Sequence, residues 1–207
     1  MMLIVQNLSL KTRQPILHDF SYQFAPGQFY QIAAENGSGK TSFLRAVTDL
    51  IPVSSGKVLL DGKPYAKNKR KLFFFESNEW FNVNLTSLDY LKFVKKQWHS
   101  NVDLNQELDL LGVREYVKVP IKKYSLGMKQ KLIVAMYLVS GAEYYLMDEI
   151  TNGLDEESRA ILYKRLNDEV VQRNKCIILT SHYSSEIKVN NLHRLVLQKQ
   201  MMHEVDQ

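Results

Sequence analysis

A single cysteine, Cys176, occurs in 207 residues, so the chain can form no internal disulfide. It lies in an apolar run, Cys176-Ile177-Ile178-Leu179, which reads as a buried strand. No stretch of about twenty consecutive apolar residues exists, which excludes a membrane-spanning helix. The N-terminus, Met1-Met2-Leu3-Ile4-Val5, lacks the basic start and long apolar core of a secretory signal. A cytoplasmic protein is therefore expected. The five histidines show no metal-ligand spacing, and repeats and low-complexity segments are absent. Asn84-Leu85-Thr86 matches a glycosylation acceptor that a cytoplasmic protein would not use.

Charge is also modest, at +5. Its densest run, Lys67-Asn68-Lys69-Arg70-Lys71, leads into the apolar Leu72-Phe73-Phe74-Phe75, the pattern of a solvated loop before a buried strand. No aromatic-interleaved basic surface accompanies it, so no nucleic acid is expected as partner. With 207 residues the chain is long enough for one domain with a real core.

What is present is a phosphate-binding pattern. Ala34-Glu35-Asn36-Gly37-Ser38-Gly39-Lys40-Thr41 fits G-x-x-x-x-G-K-[ST] except that Ala34 stands at the first glycine. In such a loop backbone N–H groups wrap nucleotide phosphates, here from Ala34 and Asn36 through Ser42. Lys40 reaches the β- and γ-phosphates and the Thr41 hydroxyl ligates Mg²⁺. Phe29 to Ala33 is a strand candidate before the loop. Ser42 to Leu50 reads as a helix after it, with Phe43, Leu44, Val47 and Leu50 on one face and Pro52 as its stop. A helix N-terminus at the loop favours anions.

The remaining chain alternates. Leu3-Val5, Leu8-Leu10 and Phe20-Phe24 are β-like, with Pro26-Gly27 as a turn. Gly56-Leu60 is a further strand closed by Asp61-Gly62, and Phe73-Phe75 another. From Thr86 the period becomes helical. Thr86 and Asp89 form a capping box, and Leu88, Leu91, Val94 and Trp98 share a face. Asn105-Leu111 ends at Gly112. Ser125-Ser140 is one helix, with Leu132, Met136 and Val139 facing inward, and Gly141 ends it. Tyr144-Met147 is a buried strand running into Asp148-Glu149. Asp155 caps a helix carrying Ile161, Leu162 and Leu166. Cys176-Thr180 ends at Ser181-His182, and Leu195-Leu197 with Met201-Val205 form a last hairpin. Strands alternating with helices predict a mainly parallel sheet between helices.

Parallel α/β sheets gather their sites at the carboxyl ends of the strands. Asp148-Glu149 at a strand end thus joins the P-loop. Asp148 holds Mg²⁺ through its water shell, and Glu149 polarises a water for in-line attack on the γ-phosphate.

At this point the chain resembles the nucleotide-binding domain of ABC (ATP-binding cassette) proteins. The resemblance is carried by the P-loop, Asp148-Glu149, Tyr124-Ser125-Leu126-Gly127-Met128-Lys129-Gln130, Thr151-Asn152-Gly153-Leu154-Asp155 and His182. It covers nearly the whole length. The signature departs from L-S-G-G-Q, yet S-L-G-M-K-Q is similar to ATPase subunits of exporters of the bacitracin-resistance and lantibiotic-immunity kind. The resemblance implies an α/β P-loop NTPase: a RecA-like parallel sheet with flanking helices, an antiparallel β subdomain, and a helical subdomain inserted at approximately 78–130. It implies a head-to-tail homodimer or heterodimer closing over two ATP molecules, with Ser125 and Gly127 touching the γ-phosphate held by the other subunit. It further implies that His182 bonds the γ-phosphate and orients the water, and that Asp155 communicates between sites. Glu149, His182 and Lys40 are then the catalytic set, and ATP with Mg²⁺ the cofactors. The partner is a separate membrane permease that holds the chain at the inner face of the cell membrane.

Three departures accompany it. Ala34 replaces a glycine, harmless if its dihedral lies in the α or β region. Glu76 or Ser77 occupies the place of the Q-loop glutamine, where an inward Glu76 would add negative charge near the metal. No aromatic for adenine stacking occurs near Lys11 to Arg13, leaving Arg13 for that contact. These departures keep a rival open, a nucleotide-binding regulatory module with weak or no hydrolysis. A haem-exporter ATPase of cytochrome maturation is a rival on substrate. Family members of DNA repair or translation are set apart by long coiled-coil insertions or tandem cassettes, which this chain lacks.

Overall fold

The parity of the first strand changes midway, and that change shapes the first sheet. In the computed structural model, which describes residues 2–182 and 187–205, β1 (Leu3–Lys11) buries Leu3 and Val5 and then Leu8 and Leu10. Asn7, at φ 49°, sits in a bulge where the register with β2 (Pro15–Phe24) shifts, so odd positions give way to even ones on the buried face. The two short pieces expected from the sequence are thus one bulged strand. With β4 (Ser55–Leu60) and β5 (Lys63–Pro64) it forms an antiparallel sheet of order β2-β1-β4-β5, the Asp61-Gly62 turn joining the last two.

Among the described residues, the second sheet has six strands in the order β10-β9-β3-β8-β7-β6. These are β3 (Phe29–Ala33), β6 (Leu72–Phe74), β7 (Tyr144–Asp148), β8 (Cys176–Ser181), β9 (Leu192–Gln198) and β10 (Met201–Val205). All neighbours run parallel except β10, which forms the final hairpin with β9. Every residue of β3 and β8 is buried, as expected for strands covered on both faces. The placement of β8 between β3 and β7 matters most for function. Its register sets Ala33 opposite Ser181 and Asp148 opposite Thr180, so three strand ends finish side by side.

Among the described residues, five α-helices flank the sheets. The first, α1 (Lys40–Val47), begins two residues earlier and ends three earlier than the sequence pattern suggested. Gly39, at φ 104°, lets it start at Lys40. The Thr48 hydroxyl bonds back to the Leu44 carbonyl at 2.9 Å and Asp49 turns left-handed, ending it before Pro52 is reached. Leu50 consequently lies outside the helix and is exposed. α2 (Ser87–Gln97) starts on the expected capping box: Asp89 N–H donates to Thr86 Oγ1 at 3.2 Å, and Thr86 N–H to Asp89 Oδ2 at 2.9 Å. α3 (Leu104–Leu110) is followed by the left-handed Gly112. α4 (Leu126–Ser140) is capped by Ser125 and Gly141, and every residue from Leu132 to Ser140 is buried. The sequence pattern assigned it one inner face, whereas it packs between the sheet and α2 and α3 and is apolar all round.

α5 (Glu156–Val171) starts at Asp155, whose carboxylate accepts the Ser158 amide at 2.7 Å. A nearly buried ion network ties it to α3. Arg165 donates to Glu107 at 2.6 Å and to Glu169, and Arg173 lies 3.1 Å from Glu169. The basic run 67–71 spans the end of one 3-10 turn (Tyr65–Lys67) and the whole of the next (Lys69–Lys71), solvated before the buried Leu72 as the sequence suggested.

Candidate active site

The loop between β3 and α1 is built by its glycines. Gly37 is at φ 76° with open space where a Cβ would stand. At Gly39 a Cβ would come 2.3 Å from the Ile16 side chain of β2, so both the left-handed backbone and the packing demand glycine. Ala34 is buried and is not among the residues of positive φ, so the methyl causes no backbone strain there. Its amide donates to the Ser181 carbonyl at 3.2 Å, which stitches the loop to β8. Asn36 is exposed and Ser42 half-exposed.

Lys40 is 5% exposed, and its ammonium lies under the loop. It donates to the carbonyls of Ala34 at 3.1 Å and Glu35 at 3.0 Å, and it pairs with Glu149 Oε1 at 3.1 Å. The Ser38 hydroxyl is buried without a protein partner. A buried lysine held by carbonyls, an orphaned hydroxyl and a left-handed glycine turn fit a nucleotide phosphate chain.

Asp148 closes the other side. Thr41 Oγ1 donates to its Oδ2 at 2.5 Å and Thr180 Oγ1 to its Oδ1 at 2.5 Å. Burial raises the Asp148 carboxyl above its ordinary value; the two hydroxyls oppose the shift, while Glu149 and Glu76 add to it. A hydroxyl and a carboxylate in contact at the loop fit a hydrated divalent cation. Glu149, at φ 46°, takes a left-handed backbone rare for glutamate, and Thr180 Oγ1 accepts its amide at 3.1 Å. Its Oε2 accepts Asn152 Nδ2 at 2.8 Å and lies 3.9 Å from His182 Nε2, beyond hydrogen-bond reach.

The structure therefore brings Lys40, Thr41, Asp148, Glu149 and His182 together. Ser125 and Gly127 lie at the start of α4, where Ser125 is exposed and its hydroxyl accepts the Met128 amide at 3.2 Å. Lys11 ends β1, and Thr12 and Arg13 lie in the exposed bend that leads to β2.

Other contributors were not singled out from sequence. Thr180 clamps both acidic residues, Asn152 orients Glu149, and Gln130 Nε2 donates to the Ile150 carbonyl at 2.6 Å, tying α4 to the turn after Glu149. Asn152 and Gln130 lay inside quoted motifs, and Thr180 at the strand end beside His182. Tyr137 of α4 carried no such signal. Its buried hydroxyl accepts the Phe75 amide at 3.2 Å and donates to the Leu146 carbonyl, standing between β6 and β7 just beyond their last pair, Phe74 and Leu146.

This fold and loop define a P-loop NTPase of mixed α/β architecture. The sequence profile described as ABC transporter matches residues 17–152. The chain belongs to the ABC transporter family, among its ATP-binding subunits. It is 32% identical over 196 residues to the uncharacterized ABC transporter ATP-binding protein YybJ of Bacillus subtilis, covering 90% of this chain and 88% of that one. It is 28% identical over 194 residues to the lantibiotic transport ATP-binding protein SrtF of Streptococcus pyogenes, covering 90% and 82%. A solved ATP binding subunit of an ABC transporter shares the fold at a TM-score of 0.86 and 20% identity, over 100% of this chain and 91% of that chain. Among the described residues no helix is long and apolar enough to cross a membrane.

Proposed function

We propose that this chain is the ATP-hydrolysing motor of a membrane exporter and drives a separate permease by ATP-dependent dimerisation. The observation that carries the reading is the meeting of Lys40 with Glu149 at 3.1 Å and of Thr41 with Asp148 at 2.5 Å on one sheet edge. The backbone amides from Asn36 to Ser42, with Lys40, hold the phosphates of ATP. Thr41 and Asp148 hold Mg²⁺, which when bound offsets the charge of the phosphate oxygens. Thr180 keeps the Asp148 carboxylate aimed at that place. Glu149 accepts a proton from the attacking water as general base, with Asn152 fixing its carboxylate and His182 holding the water in line. Arg13 serves adenine in place of an aromatic ring.

A second subunit, identical or homologous, completes the site with Ser125 and Gly127, because these residues start α4, whose positive end suits an anion. Residues 78–130 act as the helical unit beside which the permease docks, and the exposed Trp80, Val83 and Leu85 supply apolar contact. The permease holds the chain at the inner membrane face. The name of the lantibiotic transport relative supports a role in transport.

ATPase turnover tests the reading. Glu149→Gln should lower kcat by about 100-fold or more, and equal turnover in both proteins would remove Glu149 from the mechanism. A regulatory module with weak or no hydrolysis is the second reading. The acidic Glu76 near the place of the Q-loop glutamine and the lack of an aromatic residue near Lys11 to Arg13 favour it. It predicts ATP binding without phosphate release that depends on Glu149.

A further inference from the structure

Glu76 lies just past the end of β6, on the wall of a cavity of about 300 Å³ that also takes in Thr41, Asp148 and Glu149. Its side chain is 9% exposed, and Arg45 of α1 grips both carboxylate oxygens. Arg45 Nε donates to Oε2 at 2.5 Å and Nη2 donates to Oε1. This two-pronged pairing fixes orientation as well as charge. Without it, a nearly buried carboxylate would face Asp148 and Glu149 uncompensated, an arrangement that low-dielectric surroundings penalise strongly. The pair is reached from residues 31 positions apart, so neither partner is marked by local sequence.

We propose that Arg45 is a positioning residue of the nucleotide site, which holds Glu76 against the cavity wall and sets the net charge that a divalent cation meets there. The inference rests on the nucleotide reading given above. Glu76, Asp148 and Glu149 line this cavity with negative charge, and Lys40 and Arg45 pair with two of them from outside its lining, so the five groups together carry one negative unit. Arg45→Gln leaves two negative units, Glu76→Gln leaves none, and the double variant returns to one. The cation requirement must therefore move in opposite directions in the two single variants and come back in the double. A pair that only braced α1 against the end of β6 would weaken binding in both singles alike.

The experiment is calorimetric titration of ADP into each protein across a Mg²⁺ series, with EDTA as the metal-free arm. Arg45→Gln should lower the Mg²⁺ midpoint about tenfold, Glu76→Gln should raise it about tenfold, and the double variant should fall within about threefold of wild type. Single-variant midpoints that shift together, or that stay unmoved, overturn the role of Arg45. If Arg45→Gln fails to fold, Glu76→Gln and the double variant still decide: the first must rise and the second must return. Wild type that binds no ADP with or without Mg²⁺ overturns the nucleotide reading itself, an outcome distinct from normal ADP binding with unshifted variants.

Discussion

The Lys40 ammonium and the Glu149 carboxylate are 3.1 Å apart, so the lysine of the phosphate loop is already paired with the residue proposed as general base. Lys40 is nearly buried and Glu149 is 28% exposed, which places the pair between a buried and a surface ion pair. Lys40 also donates to the Ala34 and Glu35 carbonyls, so a nucleotide phosphate competes with these three acceptors, Glu149 among them, for the ammonium. Under the proposed mechanism, displacing Glu149 would free its carboxylate for a water and link phosphate binding to base availability.

That linkage predicts that Glu149→Gln binds ATP more tightly while hydrolysing it poorly. Losing the competing charge should raise ATP affinity about threefold to tenfold, the scale of one partly exposed ion pair. Equilibrium binding of radiolabelled ATP at low temperature reads this directly. Unchanged or weaker affinity would show that the pair does not compete with nucleotide.

Tyr137 predicts a stability effect of a different origin. Its hydroxyl serves the Phe75 amide and the Leu146 carbonyl together, at full burial. Tyr137→Phe keeps the ring packing against Phe73 and Tyr145 but strands both backbone groups. The cost should be about 1–3 kcal/mol, or a fall in Tm of roughly 2–4 °C for each kcal/mol. Urea denaturation measures it, and a variant as stable as wild type would mean that β6 and β7 close directly on each other.

The site was legible where chemistry follows local order along the chain. The loop from Gly37 to Thr41, the Asp148-Glu149 strand end and the caps at Thr86 and Asp155 are each set by neighbours within a few residues, and they stand where expected. Boundaries were less legible. α1 ends at Thr48 because a side chain bonds backward and Asp49 turns left-handed, a competition that apolar periodicity does not report. Least legible were contacts made by strand order. Thr180 reaches Asp148 because β8 lies between β3 and β7, and Arg45 meets Glu76 because α1 packs near the end of β6. Long-range pairing chose those partners, and a single sequence carries no local mark of it.

Asp61 gives a pH-dependent prediction away from the site. Burial pushes its carboxyl upward, but bonds from Lys71, the Met2 amide at 2.7 Å and the Tyr144 hydroxyl at 3.0 Å outweigh it, and the net value lies below the ordinary 3.8. A depressed carboxyl stabilises the fold fully above the unfolded value, and that contribution is lost as pH falls through the folded value. Asp61→Asn should therefore lower Tm at pH 7. The gap from wild type should narrow as pH drops below 3.8 and close under the folded value. Thermal melts across an acid pH series test the sign. A gap that widens toward acid would contradict it.

Ala34 bears on whether the incomplete P-loop is impaired. It is fully buried, it stands outside the positive-φ residues, and its carbonyl accepts from Lys40 at 3.1 Å. Its backbone contacts are those any residue of ordinary dihedral can make, so the methyl group costs the loop nothing in conformation. It adds packing instead, among the apolar residues that include Ile32, Phe43 and Leu44. Ala34→Gly should leave ATP affinity within about twofold while lowering stability by about 1 kcal/mol, through a freer unfolded chain and a lost buried methyl. Binding titrations and urea denaturation on the same preparation separate the two effects. If glycine raised ATP affinity several-fold, the methyl would be a steric obstacle to the phosphates; a loss of stability with affinity unchanged makes Ala34 a packing residue.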